Sequence, residues 1–325
     1  MTDHPASARP ASESLRPRFS GFASFLRLPM RDTAEGLASA VLGVPFDGGT
    51  TYRDGARFGP ASLRQASATL YAYHPAHRRD LFRDHPAADL GDVAVAPQDI
   101  GMTLRRTEQA VGAILDQGAF PLVLGGDHLV TLANLRAAAG REGPLALVQF
   151  DSHHDLWDGI WGARYSHASF HRRAIEEGLT DPSRSLVVGL RGSLDSEEEG
   201  FLPERMGVLA IGTSQLLAAG AEAVAKEVRR RTGGGPVWLT VDLDVVDPAF
   251  APGTGTPEAG GPPSSLVLEV LRHLAGLQLR GADVVELAPP YDCGQVTALL
   301  GATFAHEILA LRSLRPDGPD AAPPG

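Results

Sequence analysis

Two reactive side chains are almost absent from this sequence. Among its 325 residues there is one cysteine, Cys293, so no disulfide can form within the chain. Lysine occurs once, as Lys226, and no Gly-Lys-Ser or Gly-Lys-Thr sequence is present. A phosphate-binding loop needs that lysine motif, and Schiff-base catalysis needs a reactive lysine. Both classes of enzyme are therefore disfavoured.

Long apolar runs and an excess of positive charge are missing as well. No apolar run approaches the roughly 18 residues of a membrane span, and a formal net charge of -10 gives no footprint for nucleic acid. Residues 1–29 lack the apolar centre of a signal peptide. Together with the single cysteine, these features lead us to expect a cytoplasmic protein with neither a nucleic-acid nor a membrane partner.

What the sequence does contain is a regular alternation of short apolar runs and longer helical stretches. This alternation predicts an α/β fold with a parallel sheet that helices cover on both faces. No repeat or linker is evident, so we expect one catalytic domain over residues 35–313. A flexible arm is predicted at 1–34 and a flexible tail at 314–325. The predicted strands are 38–44, 88–93, 120–125, 145–150, 185–190, 208–211, 237–242 and 282–287. One predicted helix begins at residue 61, and the other predicted helices are 105–117, 129–139, 168–177, 214–230, 264–274 and 296–311.

Three of the predicted strands lead directly into histidine and aspartate. Sites in open parallel sheets form beyond the carboxyl ends of the strands, and side chains two apart in an extended segment share a face. Each motif alone is consistent with a loop cap or a structural histidine, but their joint occurrence predicts one metal site. The six predicted ligands are His128 after strand 120–125, Asp151, His153 and Asp155 after strand 145–150, and Asp242 and Asp244 at the end of strand 237–242.

The chemistry of these side chains narrows the choice of metal. Four carboxylates and two imidazoles without a thiolate favour Mn²⁺, Fe²⁺, Co²⁺, Ni²⁺ or Zn²⁺ over a cysteine-bound structural zinc. Six ligands are too many for one ion that keeps a catalytic position open, but they suit two ions if two aspartates bridge. Two ions roughly 3.5–4 Å apart lower the pKa of a shared water and direct it at an electrophilic carbon or phosphorus. The slight negative charge that remains favours a cationic substrate.

Three motifs, in chain order, resemble those of the ureohydrolases, the family of arginase and agmatinase. They are Gly125-Gly126-Asp127-His128, Asp151-Ser152-His153-His154-Asp155 and Asp242-Leu243-Asp244-Val245-Val246-Asp247-Pro248. Segments 55–60, 165–167 and 247–257 are similar to the agmatinase branch. The resemblance covers residues 38–312. It implies an α/β/α fold, a centre of two Mn²⁺ ions, hydrolysis of a guanidino group to urea and an amine, and a homo-oligomer, either a trimer or a hexamer.

The resemblance also implies roles for individual residues. Asp155 holds the attacking water and moves its proton toward the leaving amine. His167 matches a loop histidine that shuttles protons, and Glu286 matches the carboxylate that pairs with the guanidinium. Thr256 and Asp247 support the ligands by hydrogen bonds. Each ion takes four ligands, two of them shared: the first His128, Asp151, Asp155 and Asp242, the second Asp151, His153, Asp242 and Asp244.

Several residues depart from the family pattern and leave the substrate open. Leu129 stands where Ser or Thr is usual, Ser152 stands where Ala is usual, and residues 165–170 lack the Gly-Thr-Pro of many agmatinases. His154 and His171 either bring nitrogen near the metals, which would shift the preference toward nickel, or face away from them.

Three segments are predicted to select the substrate: residues 46–53, 156–164 and 191–199. Within the second, Asp158 is a hypothetical partner for the ammonium group of agmatine. The main prediction is hydrolysis of agmatine or of a related guanidino amine or acid. The alternatives are a formiminoglutamate-type hydrolase on the same metals and a non-catalytic, metal-binding regulatory subunit. The presence of His167 and Glu286 beside all six ligands argues against the regulatory subunit.

Overall fold

An eight-stranded parallel sheet lies at the centre of the chain. The computed structural model describes residues 17–314. Its strands are β1 (Ser39–Gly43), β2 (Tyr73–His74), β3 (Arg79–Asp80), β4 (Ala87–Asp92), β5 (Phe120–Leu124), β6 (Ala146–Phe150), β7 (Leu186–Leu190), β8 (Leu209–Gly212), β9 (Pro236–Asp242) and β10 (Gln278–Val285). The sheet runs in the order β4-β1-β5-β10-β9-β6-β7-β8. Strands β2 and β3 form a separate antiparallel hairpin.

Helices cover both faces of the sheet, which confirms the predicted α/β/α architecture. They are α1 (Gly59–Ala66), α2 (Ile100–Asp116), α3 (Val130–Glu142), α4 (Phe170–Glu176), α5 (Glu197–Gly200), α6 (Leu202–Arg205), α7 (Thr213–Thr232), α8 (Ser264–Arg272) and α9 (Val296–Ser313). Helices α2, α3 and α4 pack on one face through one apolar core. Helices α1, α7, α8 and α9 pack on the other face through a second core. None of the helices between residues 17 and 314 has the length and apolar character needed to cross a bilayer.

The apolar runs become strands that are buried on both sides. Every residue of β5 and of β6 is buried, as expected of a central strand in a parallel sheet. Helix α2 begins five residues earlier than predicted, because the side chain of Asp99 caps it by accepting from the backbone N–H of Met102 at 2.8 Å. The β2–β3 hairpin and the short helices α5 and α6 were not predicted, since two-residue strands and one-turn helices leave no periodic pattern.

The N-terminal segment corrects one prediction. Residues 1–16 of the predicted arm and residues 315–325 of the predicted tail lie outside the described residues. The predicted arm does not extend to residue 34, because Phe25, Leu26 and Leu28 are buried against the core. The backbone N–H of Phe25 also donates to Asp89 Oδ2 at 2.7 Å. These three large apolar side chains within four residues indicate burial, but the overall Ser, Pro, Ala and Arg content of the segment does not show it.

The strand order explains how distant segments meet. Strands β5, β10, β9 and β6 are neighbours at the middle of the sheet. Because all pairs in the sheet are parallel, their carboxyl ends lie at one edge. The loops that follow these four strands carry the predicted ligands and Glu286.

Candidate metal centre

A histidine from the loop after β5 faces three aspartates from the ends of β6 and β9. His128 Nδ1 lies 3.0 Å from Asp151 Oδ2 and 3.1 Å from Asp155 Oδ2. It lies 3.2 Å from Asp242 Oδ2, and all four side chains are buried. His128 Nε2 is hydrogen bonded to Thr240 Oγ1 at 2.8 Å, which fits the tautomer whose Nδ1 lone pair points at the carboxylates. Three carboxylate oxygens therefore lie within 3.2 Å of one imidazole nitrogen.

A second group of ligands adjoins the first. His153 Nδ1 lies 3.1 Å from Asp244 Oδ2 and 3.5 Å from Asp151 Oδ1, so Asp151 faces one histidine with each of its oxygens. The hydroxyl of Ser152 donates to Asp244 Oδ1 at 2.7 Å and fixes that carboxylate. The backbone N–H of Asp244 donates to Asp242 Oδ1 at 2.8 Å. The structure thus brings five of the predicted ligands together in two sets that share Asp151. Asp242, the sixth, adjoins both sets through its contacts with His128 and Asp244.

The charge of this cluster fits divalent cations. Burial and the neighbouring carboxylate of Asp151 raise the pKa of Asp155 to about 7. Burial and the carboxylate of Asp244 likewise raise the pKa of Asp242 well above its usual range. Protein groups alone therefore do not stabilise four ionised carboxylates at this place. Two divalent ions would supply the missing positive charge and hold the acids in their ionised form.

Unusual backbone conformations occur at two residues of the cluster. Asp155 has a φ of 54° and Glu286 has a φ of 65°. Residues other than glycine are strained in this left-handed region, at a cost on the order of 1–3 kcal/mol each. Strained conformations persist where the surrounding structure fixes them, and they are frequent at active sites. Here both strained residues carry a buried carboxylate.

Glu286 follows β10 and connects the ligands to His167. Its Oε1 accepts from the backbone N–H of His128 at 2.8 Å and contacts His167 Nδ1 at 2.8 Å. Burial lowers the pKa of His167, but the carboxylate of Glu286 outweighs that effect and raises it to about 9. The second oxygen, Oε2, is buried and has no hydrogen-bond partner within residues 17–314. A buried carboxylate oxygen in this state is suited to a cationic ligand.

His167 is positioned by loops whose backbones pack closely together. A Cβ on Gly126 would lie 1.7 Å from the carbonyl oxygen of Phe46, so only glycine lets these two loops pack. The backbone N–H of His167 donates to the carbonyl oxygen of Gly49 at 3.0 Å. His167 Nε2 lies 2.7 Å from Thr51 Oγ1. The glycine-rich segment after β1 is therefore a support for the histidine.

Gln149, a buried residue of β6 for which the sequence predicts no role, contacts two of the predicted ligands, and His171 contacts Gln149. The amide Nε2 of Gln149 donates to Asp151 Oδ2 at 2.7 Å and to Asp155 Oδ2 at 3.2 Å. Its Oε1 lies 2.8 Å from His171 Nδ1. His171 is thus bonded to Gln149 rather than to the ligand cluster. The only sequence signal was a glutamine within an otherwise apolar strand.

Three other residues with predicted or open roles differ in what they contact. Thr256 Oγ1 reaches Asp244 Oδ2 at 3.4 Å, a long contact to a ligand. Asp247 instead accepts from the backbone N–H groups of Ala249 and Gly261 and shapes its own loop. His154 Nε2 lies 3.3 Å from Glu199 Oε1, and His154 belongs to neither ligand set.

A cavity of about 440 Å³ opens above the cluster. Each of the three segments predicted to select the substrate contributes to its wall, and Glu258 adds another carboxylate. Arg191 lines the cavity, but its nitrogens donate to backbone carbonyls at residues 189, 244, 245, 246 and 258. Asp158 is ion-paired with Arg173 at 2.8 Å, so the structure does not support its hypothetical contact with an ammonium group. The cavity wall includes Thr51, Trp157, Ile160, Leu190, Leu194, Glu199 and Glu258.

Known proteins are similar to this chain in sequence and in fold. The model of the Arginase family matches residues 38–311. The chain is 45% identical over 313 residues to the guanidinopropionase of Pseudomonas aeruginosa, covering 95% of this chain and 96% of the relative. It is 40% identical over 306 residues to the guanidinobutyrase of the same organism, covering 93% and 96%. The solved structure of proclavaminate amidinohydrolase from Streptomyces clavuligerus superposes with a TM-score of 0.88 at 36% identity, covering 92% of this chain and 99% of that one.

Proposed function

Because the chain belongs to the arginase family, we propose that it hydrolyses the guanidino group of a small molecule to urea and an amine. The observation that carries this proposal is the convergence of two histidines and four aspartates near a buried carboxylate oxygen of Glu286 that has no hydrogen-bond partner among the described residues. The relatives are named for guanidinopropionate and guanidinobutyrate. We extend to this chain the class of substrate and leave the tail of the molecule to experiment.

Two divalent ions are the cofactors of this proposal. We assign one to His128, Asp151, Asp155 and Asp242, and the other to Asp151, His153, Asp242 and Asp244. When bound, they would lower the pKa of a water molecule at the site and so supply the nucleophile. A donor set rich in carboxylate oxygen and free of sulfur favours Mn²⁺, with Ni²⁺ as the next choice because two donors are imidazoles.

The side chains of the chain position the substrate and move the proton. Glu286 Oε2 binds the guanidinium by charge-assisted hydrogen bonds and holds its carbon over the cluster. Asp155 accepts the proton of the attacking water and delivers it to the departing amine. His167 contacts Glu286 and borders the cavity. From there it exchanges the second proton of the attacking water with solvent.

A panel of substrates tests this function. The metal-free chain is loaded with Mn²⁺ and, separately, with Ni²⁺, and urea release is measured from guanidinopropionate, guanidinobutyrate, agmatine and arginine. We expect urea from at least one of them. The matched variant Glu286→Gln should keep both ions and lose on the order of a hundredfold or more in kcat/KM, as loss of one preorganised charge contact does.

Two outcomes would overturn the proposal. Formamide released from formiminoglutamate, with no urea from any guanidine, would establish the alternative hydrolase. A protein that binds two ions and hydrolyses none of these compounds would be a metal-binding regulatory subunit. A homo-oligomer, trimeric or hexameric, and a cytoplasmic location stay predictions that size and fractionation measurements would test.

A further inference from the structure

A second cluster of metal-ligating side chains lies between the β2–β3 hairpin and α9, and we call it the hairpin cluster. It consists of His74, His77 and Glu307, and it shares no residue with the metal centre. His74 Nε2 lies 3.0 Å from Glu307 Oε2, and His77 Nε2 lies 2.5 Å from Glu307 Oε1. One donor atom from each residue lies within 4.8 Å of the other two.

We propose that the hairpin cluster binds a third divalent ion, with Zn²⁺ as the preferred metal. Two imidazole nitrogens and one carboxylate oxygen are a ligand set that zinc takes in proteins, with water completing the coordination. The ion would fasten the hairpin, which is only two residues long on each strand, to the end of a helix that packs in the core.

The surroundings of the cluster suit a ligand that enters from solvent. The side chains of His74 and Glu307 are 5% and 1% exposed, whereas that of His77 is 12% exposed and forms the entrance. The ring of His306 stacks on that of His74 with centroids 5.1 Å apart. His306 Nε2 is hydrogen bonded to the carbonyl oxygen of Tyr71. These contacts hold the His74 ring in place, as the outer contacts of metal-binding histidines do.

Glu307 also has a cationic neighbour. Arg272 Nε lies 3.3 Å from Glu307 Oε2 and competes for the carboxylate. Arg272 has a second partner, because its Nη1 lies 2.7 Å from Glu269 Oε1. The arginine can therefore keep an ion pair while Glu307 turns to the metal.

Two features make this site weaker than the metal centre. The positive charge of Arg272 already balances the one carboxylate. In addition, ligation through His74 Nε2 places the ring proton on Nδ1, which gives up a 3.4 Å contact from the backbone N–H of His77. We therefore expect a third ion that exchanges more readily than the other two.

Equilibrium dialysis of the metal-free full chain against Zn²⁺ tests the proposal. We expect three ions per chain for the wild type and two for His77→Ala, which removes the most exposed ligand and disturbs the core least. The control is His273→Ala, since His273 is exposed and lies outside both clusters; it should retain three. Arg272→Gln removes the competing charge and should tighten the third site by roughly tenfold or more.

The result that overturns the proposal is equally definite. Equal zinc content in the wild type and in His77→Ala means that the cluster binds no ion. An equal loss in His273→Ala assigns the third ion to scattered surface histidines. Because the readout is metal content, a negative result here leaves the urea assay unaffected. Mn²⁺-dependent urea release should be the same in His77→Ala as in the wild type.

Discussion

The metal centre and the hairpin cluster use the same types of side chain but differ in charge. In the metal centre, four carboxylates face two imidazoles, and burial raises the pKa of Asp155 to about 7. In the hairpin cluster, one carboxylate faces two imidazoles and the guanidinium of Arg272, and the pKa of Glu307 falls to about 2. The first cluster is short of positive charge and needs cations to be stable in its ionised form. The second is already balanced, so an ion there is an addition.

The largest expected effect comes from removing one negative charge from the metal centre, and the same change in the hairpin cluster provides the comparison. Asp242→Asn takes a predicted ligand from both ions, and it should lower urea release on the order of a thousandfold, since metal stabilisation of the transition state is worth several kcal/mol. Glu307→Gln removes the carboxylate of the hairpin cluster and should leave urea release within a few-fold of wild type. Urea release and Mn²⁺ content are measured for both variants.

The control for Asp242→Asn is Asp247→Asn. Asp247 lies on the same loop, but its carboxylate accepts only from backbone N–H groups. Full Mn²⁺ content and wild-type turnover in Asp242→Asn would show that Asp242 is not a ligand. The charge argument that separates the two clusters would then be wrong.

A smaller effect is expected from the side chains that hold the ligands. Gln149→Met keeps the volume of the side chain but removes the amide that donates to Asp151 and Asp155. Loss of such a contact costs about 10–100-fold in metal affinity. Titration with Mn²⁺ should therefore show weaker binding, with urea release recovering at high metal concentration.

The matched variant for Gln149→Met is His154→Gln. His154 is next to a ligand in sequence but pairs with Glu199, so its replacement should leave the affinity for Mn²⁺ unchanged. Equal affinities in the two variants would mean that the contacts of Gln149 carry no part of metal binding.

The two clusters also differ in how far the sequence predicts them. The ligands of the metal centre follow apolar strands, and the rule that parallel strands share a carboxyl edge brings them together without a structure. The hairpin cluster joins His74 to a glutamate 233 residues away. The strands of its hairpin are too short to leave a period-two pattern. Its assembly depends on how α9 packs, which composition and periodicity do not determine.

The same limit applies within the metal centre. The position of Gln149 in an apolar strand predicts that it is buried, but the pattern does not say which groups its amide meets. The positive φ of Asp155 and of Glu286 is likewise a property of the assembled loops. The sequence therefore predicts which side chains converge at the strand ends, while it does not predict the contacts that orient them.

Another buried carboxylate, that of Asp47, has its negative charge balanced by protein groups alone. Its Oδ1 lies 2.5 Å from Arg57 Nη2, and its Oδ2 accepts from the backbone N–H of Gly55 at 2.8 Å. Burial raises the pKa of Asp47, but Arg57 and the backbone donors lower it below the usual 3.8. Asp47 thus has locally the positive partners that Asp155 and Asp242 lack.

The effect expected at this residue is on stability rather than on turnover, and it depends on pH. The folded-state pKa of Asp47 is below that of the unfolded chain, so the ionised carboxylate stabilises the fold above pH 3.8 and loses that contribution as pH falls through the folded value. Asp47→Asn should lower the free energy of unfolding by about 1.5–3 kcal/mol at neutral pH, the worth of hydrogen bonds to a charged group. The difference from wild type should shrink below pH 3.8. Urea denaturation across this range measures it, with the exposed neighbour Asp54→Asn as the control. If Asp47→Asn and Asp54→Asn lose the same stability at neutral pH, the contacts of Asp47 do not compensate its charge, and the contrast with the metal centre fails.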